Sequence, residues 1–258
     1  MNQVKFAPMT TPSSPVLQLQ SLDFSYPDTP EVLRQLNISI HSGERVGLIG
    51  PNGAGKSTLF LLINGILQPS AGKVLSHGHE LIKGRFNPGI GLVFQCSDDQ
   101  LFCPSVYEDI AFGPQNMGLD KEEVTRRVEE ALQRVGAEKL AQRPVNHLSE
   151  GEKRLVAIAG ILALSPQMIL YDEPSAGLDI RTRRRLIPIL KKSAPTILIA
   201  SHDLELILEV CTRVLLLDQG MIVADGPPVQ IMNDEVLMNA HGQEKPHSLI
   251  PHQFLHPH

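Results

Sequence analysis

No apolar run in the chain approaches the ~20 residues that a membrane-spanning helix needs. Basic tracts are missing as well: 23 Lys and Arg stand against 28 Asp and Glu, a formal net charge of −5. That balance suggests neither a nucleic-acid groove nor a polybasic membrane patch. Cysteine is scarce. Cys96, Cys103 and Cys211 are odd in number and unpatterned, which fits reduced thiols in a cytosol, with a metal site from them as the alternative. Zinc-like cysteine pairs, a coiled-coil insertion and an internal repeat of fixed period are absent too. Residues 1–15 lack a signal-peptide core and are rich in Thr, Ser and Pro, as a loose leader would be. What remains is 258 residues, 42% hydrophobic and 20% charged, the composition of a soluble globular protein. That length suffices for one α/β domain with subdomains or for two small domains.

Glycine supplies the most informative stretch. Gly50-Pro51-Asn52-Gly53-Ala54-Gly55-Lys56-Ser57-Thr58 matches the P-loop pattern G-x-x-x-x-G-K-[ST]. A strand candidate, Arg45 to Ile49, precedes it, and an apolar helix start, Leu59 to Ile63, follows. Strand, glycine turn and helix N-terminus together make a phosphate cradle, in which backbone N–H groups and the positive helix end face one anion. Lys56 is expected to reach the β- and γ-phosphates and the Ser57 hydroxyl to bind Mg²⁺.

Val16 to Gln20 and Asn37 to Ile40 alternate apolar with polar residues, as half-buried antiparallel strands do. Gly91 to Gln95 reads as a buried strand, after which the texture turns helical from about 96 to 164. Val124, Val128, Ala131, Leu132 and Val135 fall at helical spacing before a capping Gly136. Met168 to Tyr171, Thr196 to Ala200 and Val214 to Leu217 are continuous apolar runs, as strands covered on both faces should be. The expectation is an α/β core with a helical insertion, followed over 238–258 by a His- and Pro-rich tail or loosely packed arm.

A phosphate cradle needs a carboxylate site to hold a metal and aim water. Asp172 and Glu173 end the apolar run Met168 to Tyr171: Asp172 is placed for Mg²⁺, and Glu173, pointing elsewhere, for polarising the attacking water. Gly50 to Thr58, Gln95, Leu148-Ser149-Glu150-Gly151-Glu152, Asp172-Glu173-Pro174, Ser175-Ala176-Gly177-Leu178-Asp179 and His202 follow in order. In order and spacing they resemble the Walker A, Q-loop, signature, Walker B, D-loop and switch histidine of ABC-type ATPases, from about Val16 to Pro228.

The resemblance implies a P-loop NTPase cassette, with a RecA-like parallel-sheet core, an N-terminal antiparallel β-subdomain and an inserted α-helical subdomain, over about 16–237. It implies ATP and Mg²⁺ as cofactors. Tyr26 takes the place of the aromatic ring stacked on adenine, the alternative being a core tyrosine at a strand end. Gln95 takes that of the glutamine touching Mg²⁺ or water, or is merely an exposed strand-end residue. His202 lies at the end of a parallel strand, facing the ligand crevice, where the family contacts the γ-phosphate. The signature of one chain, through Ser149 and Gly151, serves the nucleotide of another. A second cassette, identical or different, is therefore implied. Glu150 replaces a glycine of LSGGQ, and an acid there would repel ATP and slow hydrolysis or weaken nucleotide sandwiching unless its side chain turns away.

Asp98 to Pro114 resembles the segment after the Q-loop in energy-coupling-factor ATPases, which receives the coupling helices of a membrane subunit. On that resemblance Leu101, Phe102, Val106 and Ile110 form a docking surface near Gln100 to Gly113; otherwise they are ordinary core. Within the group the chain, tail included, is most similar to ATPases of cobalt and nickel importers. That implies a separate substrate-specific membrane subunit, no nucleic acid, and a peripheral place on the cytoplasmic face of the membrane. His247, His252, His256 and His258 could bind a transition metal weakly or form a solvated tail. A vitamin importer, or a soluble ABC-type ATPase of iron–sulfur assembly or nucleic-acid work, are the other readings.

Overall fold

The computed structural model describes residues 14–250; most of the expected leader, and His252, His256 and His258, lie outside the described residues. β1 (Leu17–Tyr26) and β2 (Thr29–Ile40) form a hairpin, and β3 (Arg45–Ile49) leads into α1 (Lys56–Ile63). β4 (Ala71–Ser76), β5 (His79–Glu80) and β6 (Ile90–Val93) follow, then α2 (Val106–Asn116), α3 (Lys121–Val135) and α4 (Glu150–Ala163). Next come β7 (Met168–Asp172), α5 (Ile180–Lys192), β8 (Thr196–Ala200) and α6 (Leu204–Val210). β9 (Arg213–Asp218), β10 (Met221–Gly226), α7 (Pro228–Asn233) and α8 (Glu235–Ala240) complete the order.

Two sheets result. A four-stranded antiparallel sheet runs β2-β1-β4-β5, and a six-stranded sheet runs β10-β9-β3-β8-β7-β6, with β10 alone antiparallel to its neighbour. Side chains alternate along a strand, so Leu48, Leu170, Leu198 and Leu215 face the small sheet while Ile49, Ile169, Ile197 and Val214 face the helices. Burial on both sides is why these strands read as unbroken apolar runs. The helix α1 shares the layer between the sheets through Leu59, Phe60, Leu62 and Ile63. In β1 strict alternation fails after Leu19. A bulge there, with Ser21 at φ 45°, returns Leu22 and Phe24 to the buried face.

Between β6 and β7 the chain builds α2, α3 and α4. The stripe Val124, Val128, Ala131, Leu132 and Val135 is buried, and Gly136 caps α3 at φ 67°. Here one expectation is corrected. Leu101, Val106 and Ile110 are 8%, 0% and 0% exposed and belong to the core, so they cannot be docking surface. The capping box of Ser105 and Glu108 starts α2 and turns Val106 and Ile110 inward. Phe102 alone of the four is exposed, at 66%.

The C-terminal stretch up to Ile250 is not the loose arm its composition suggests. Met238 is fully buried, His241 Nδ1 donates to Asp218 Oδ2 at 2.8 Å, and the Ser248 N–H donates to Glu205 at 2.9 Å. Polar residues can pack when each finds a partner, which composition does not reveal.

Arg213 on β9 joins the sheets. It pairs with Asp225 of β10 at 2.6 and 2.7 Å, with Glu44 at 3.2 Å and with the Ser39 carbonyl of β2 at 2.9 Å. Arg213→Ala should destabilise the chain by about 1.5–3 kcal/mol, because charged hydrogen bonds are lost and two carboxylates are left facing each other. Urea unfolding checks this, and Arg213→Lys should restore only part of the loss, since an ammonium cannot make the forked contact with Asp225.

Candidate functional site

The loop after β3 is shaped by contact with β9. Gly50 takes φ +147°, and a Cβ on it would lie 1.9 Å from the Leu217 carbonyl oxygen. Only glycine fits. Gly55 then stands at the N-cap of α1, where no side chain accepts from the first-turn N–H groups and no acid lies in the first turn. These donors are left for an anion. The Lys56 ammonium folds back on the loop, donating to the Gly50 and Pro51 carbonyls at 2.7 and 3.0 Å, with His202 Nε2 3.4 Å away.

Asn52, Gly53, Gly55, Lys56, Ser57, Thr58, Gln95, Asp172, Glu173 and His202 line one cavity of about 230 Å³, together with Val32. Parallel pairing of β3, β8 and β7 puts their C-terminal ends on one edge, so the loop, His202 and the two acids converge from distant parts of the chain. Gly50 and Pro51 contribute carbonyls rather than lining. Ala54 is buried beneath the loop.

Lys56, Asp172 and Glu173 are each 8% exposed. Burial pulls the Lys56 pKa down against the raising effect of Glu173 and Asp172. Burial likewise pushes the Asp172 carboxyl up, against the Ser57 hydroxyl and Lys56. An acid held above its ordinary range beside a hydroxyl is a donor set that a divalent cation would complete. Glu173 stands in the left-handed backbone region at φ 45°, which residues other than glycine seldom adopt. Its Oε2 accepts from the Ser201 hydroxyl at 3.3 Å and the His202 N–H at 3.2 Å, whereas Oε1 is buried without a hydrogen-bond partner. His202 Nε2 is 3.4 Å from that oxygen.

Tyr26 is not a core residue: it is 36% exposed, with its hydroxyl 3.3 Å from Thr58 Oγ1 and its ring edge-on to Phe24 at 4.8 Å. Ser149 and Gly151 do not line the cavity. Ser149 caps α4 in a reciprocal box with Glu152, which explains why an acid serves at that position. The Glu150 carboxylate turns to Lys153 at 3.0 Å, and Lys153 also binds Asp98 at 2.7 Å.

Four supporting residues escaped the sequence reading. Arg183 grips Asp203 at 2.6 and 3.0 Å and thereby the turn carrying His202, and Ser201 orients Glu173. Arg154, 4% exposed, donates to the carbonyls of Phe94 and Gln95, and Gln100 bridges the Phe94 N–H to the Ala157 carbonyl. Arg154 carried a signal: it opens the apolar run Leu155 to Ala159, where a charge must find a partner. The others carried none: Arg183 is one of several arginines on α5, and Ser201 and Gln100 are common polar residues between elements. Among the described residues no group of His, Cys, Asp and Glu is arranged to hold a metal by itself.

The sequence profile of the family described as ABC transporter matches residues 33–176. The energy-coupling factor transporter ATP-binding protein EcfA of Methanothermobacter thermautotrophicus is 48% identical over 86% of this chain and 74% of its own length. EcfA of Methanocaldococcus jannaschii is 45% identical over 85% of this chain and 81% of its own. Among solved structures, cbiO1 of Clostridium perfringens, described as part of the ABC transporter complex cbiONQ, superposes with a TM-score of 0.78 at 36% identity. That match covers 88% of this chain and 94% of the other.

Gly50→Ala should abolish nucleotide binding and lower Tm, because its Cβ overlaps the β9 backbone. Asp172→Asn should raise the Tm of the nucleotide-free chain at neutral pH by a few degrees. The sign follows from linkage: with its folded pKa raised, Asp172 takes away stability as pH rises from the unfolded value through the folded one. Lys56 acts oppositely. Its pKa is lowered, so stability rises as pH climbs from the folded value towards 10.5. Thermal melts of Asp172→Asn across pH check the first sign, since its difference from the unmutated chain should vanish in acid.

Proposed function

Since the chain belongs to the ABC transporter family, as an ATPase of the energy-coupling-factor type, we propose that it powers a membrane importer of cobalt or nickel ions. The observation that carries the catalytic part is the unpartnered Glu173 Oε1, buried in the cavity that Lys56, Asp172 and His202 also line. A buried acceptor without a donor is costly, and the attacking water satisfies it.

In this reading Lys56 leaves the loop carbonyls for the β- and γ-phosphates, which backbone N–H groups between Gly53 and Thr58 also hold. Glu173 accepts the proton of the attacking water as the bond from the γ-phosphorus to the ADP oxygen breaks. Ser201 and the His202 N–H keep the carboxylate aimed, and the His202 ring reaches the γ-phosphate. Ser57, Asp172 and Gln95 would hold Mg²⁺, which when bound draws charge from the phosphate oxygens. Tyr26 stacks on the adenine at the mouth of the loop. Ser149 and Gly151 meet the nucleotide of a second cassette, identical or different, which accounts for their position outside this chain's cavity.

No helix among the described residues is long and apolar enough to cross a membrane. Attachment to the cytoplasmic face therefore falls to partners. Phe86, Phe102 and Phe112 are 62%, 66% and 45% exposed and line a groove of about 490 Å³ with Gln100, Asp109 and Leu164. We assign this groove to the coupling subunit, whose helix would cover the aromatic rings. Selection of the metal falls to a further membrane subunit.

Lys56→Ala and Glu173→Gln should each lower ATP turnover of the purified assembly about a hundredfold or more, with Glu173→Gln still binding ATP. Both should stop radioactive cobalt or nickel uptake. Vitamin uptake in place of metal uptake would replace the substrate assignment without touching the ATPase. Phe102→Asp should reduce co-purification of the membrane subunit while leaving Tm unchanged, and equal recovery would remove the groove from the interface. Glu150→Gly should turn over faster than the unmutated assembly, and an equal rate would mean that Lys153 already neutralises the acid.

A further inference from the structure

The phosphate loop has a second support that the catalytic reading leaves unused. The helix α8 ends in a turn whose hydrogen bonds are those of a Schellman cap: the Gln243 N–H donates to the Met238 carbonyl at 2.9 Å and the Gly242 N–H to the Asn239 carbonyl at 3.2 Å. Such a cap needs a left-handed residue, and Gly242 supplies it at φ 63°. A methyl group placed on Gly242 would come within 3.9 Å of Pro51 Cβ, ordinary van der Waals distance, so this turn runs alongside the loop.

Burial and one hydrogen bond keep the turn there. Met238 anchors it in the core, Gln243 is 9% exposed, and the His241 Nδ1–H donates to Asp218 Oδ2 at 2.8 Å. Asp218 immediately follows Leu217, the residue whose carbonyl fits against Gly50. Gly50 and Pro51 are thus backed by consecutive residues of one clamp, Leu217 from β9 and the capped turn held to Asp218. These are the two residues whose carbonyls hold Lys56, at 2.7 and 3.0 Å.

We propose that His241 is a positioning residue for nucleotide binding: by fastening the 241–243 turn to Asp218 it fixes Pro51, and with it the carbonyls from which Lys56 works. A preorganised loop loses less freedom when it closes on phosphate, so releasing the clamp weakens binding without altering the chemical step. The inference rests on the nucleotide site proposed above.

The test titrates ATP into the purified full chain by calorimetry and measures KM and kcat in the assembly. His241→Ala should raise the ATP Kd and KM about fivefold, about 1 kcal/mol, with kcat at saturating ATP unchanged. His241→Gln, whose amide can still donate to Asp218, should recover most of the affinity. Glu235→Gln, which breaks the Lys245–Glu235 pair at 3.4 Å in the same segment, should leave Kd as it was. If His241→Ala does not fold, Asp218→Ala removes the other half of the clamp and carries the same expectation. Unchanged ATP affinity in the clamp variant, with Lys56→Ala binding none, overturns the positioning role alone. Equal weakening in Glu235→Gln also overturns it, since any loosening of the segment would then suffice. ATP binding that survives Lys56→Ala overturns the nucleotide site and this inference together.

Discussion

Three charged side chains withheld from water, Lys56, Asp172 and Glu173, set the terms for the rest of this molecule. Burying such groups is unfavourable unless each is paired and hydrogen-bonded, and here the pairing is incomplete. Lys56 is drawn below its ordinary pKa, Asp172 is pushed above its own, and one oxygen of Glu173 has no donor. The strain is tolerated because the elements around it are rigid. β3, β8 and β7 are central parallel strands with both faces covered, and their ends cannot move apart without opening two cores. In the proposed function, phosphates and a cation would supply the partners these groups lack.

The supporting contacts are local answers to that constraint. Glu173 holds a backbone conformation that side chains other than glycine seldom adopt, at a cost of order 1–3 kcal/mol, and the Ser201 and His202 contacts keep it there. Arg183 and Asp203 form a forked pair that fixes the following turn. On the other side of the cavity, Arg154 holds the carbonyls beside Gln95, and Gln100 binds both that strand end and α4. The same α4 supplies Gly160 and Ile161, and its C-cap Leu164, to the aromatic groove. An unbroken series of packed and hydrogen-bonded groups therefore joins the cavity to the surface assigned to the membrane partner. Contact continuity is a route for coupling, while coupling itself is an energetic quantity that only paired variants measure.

Ser149 and Gly151, assigned in the proposed function to the nucleotide of a second cassette, lie outside the cavity. Ser149 caps α4 away from the cavity, and the charge of Glu150 is held by Lys153, which also holds Asp98 close to the Gln95 strand end. The substituted signature is therefore tied to the segment that lies beside the groove.

Much of this was legible without coordinates. Lys56 with its glycines, the acid pair after an apolar strand, and His202 after another were readable because parallel sheets present strand ends to one crevice. A backbone cradle also admits few sequences. The helical stripe of α3 was readable because 3.6-residue spacing is a local property. The docking surface was misjudged at Leu101, Val106 and Ile110 because apolar residues suit a core and an interface alike. For Val106 and Ile110 the role depends on the helix rotation that the Ser105 cap sets. The segment after Met238 was misjudged because its cohesion lies in polar pairs such as His241 with Asp218, 23 positions apart. The sequence by itself determined the chemistry, since residue type and spacing specify a phosphate cradle and its acids. Only the tertiary structure decided which charges go unpaired, which aromatics stay exposed and what stands behind the loop. Those outcomes depend on contacts between segments that lie far apart along the chain.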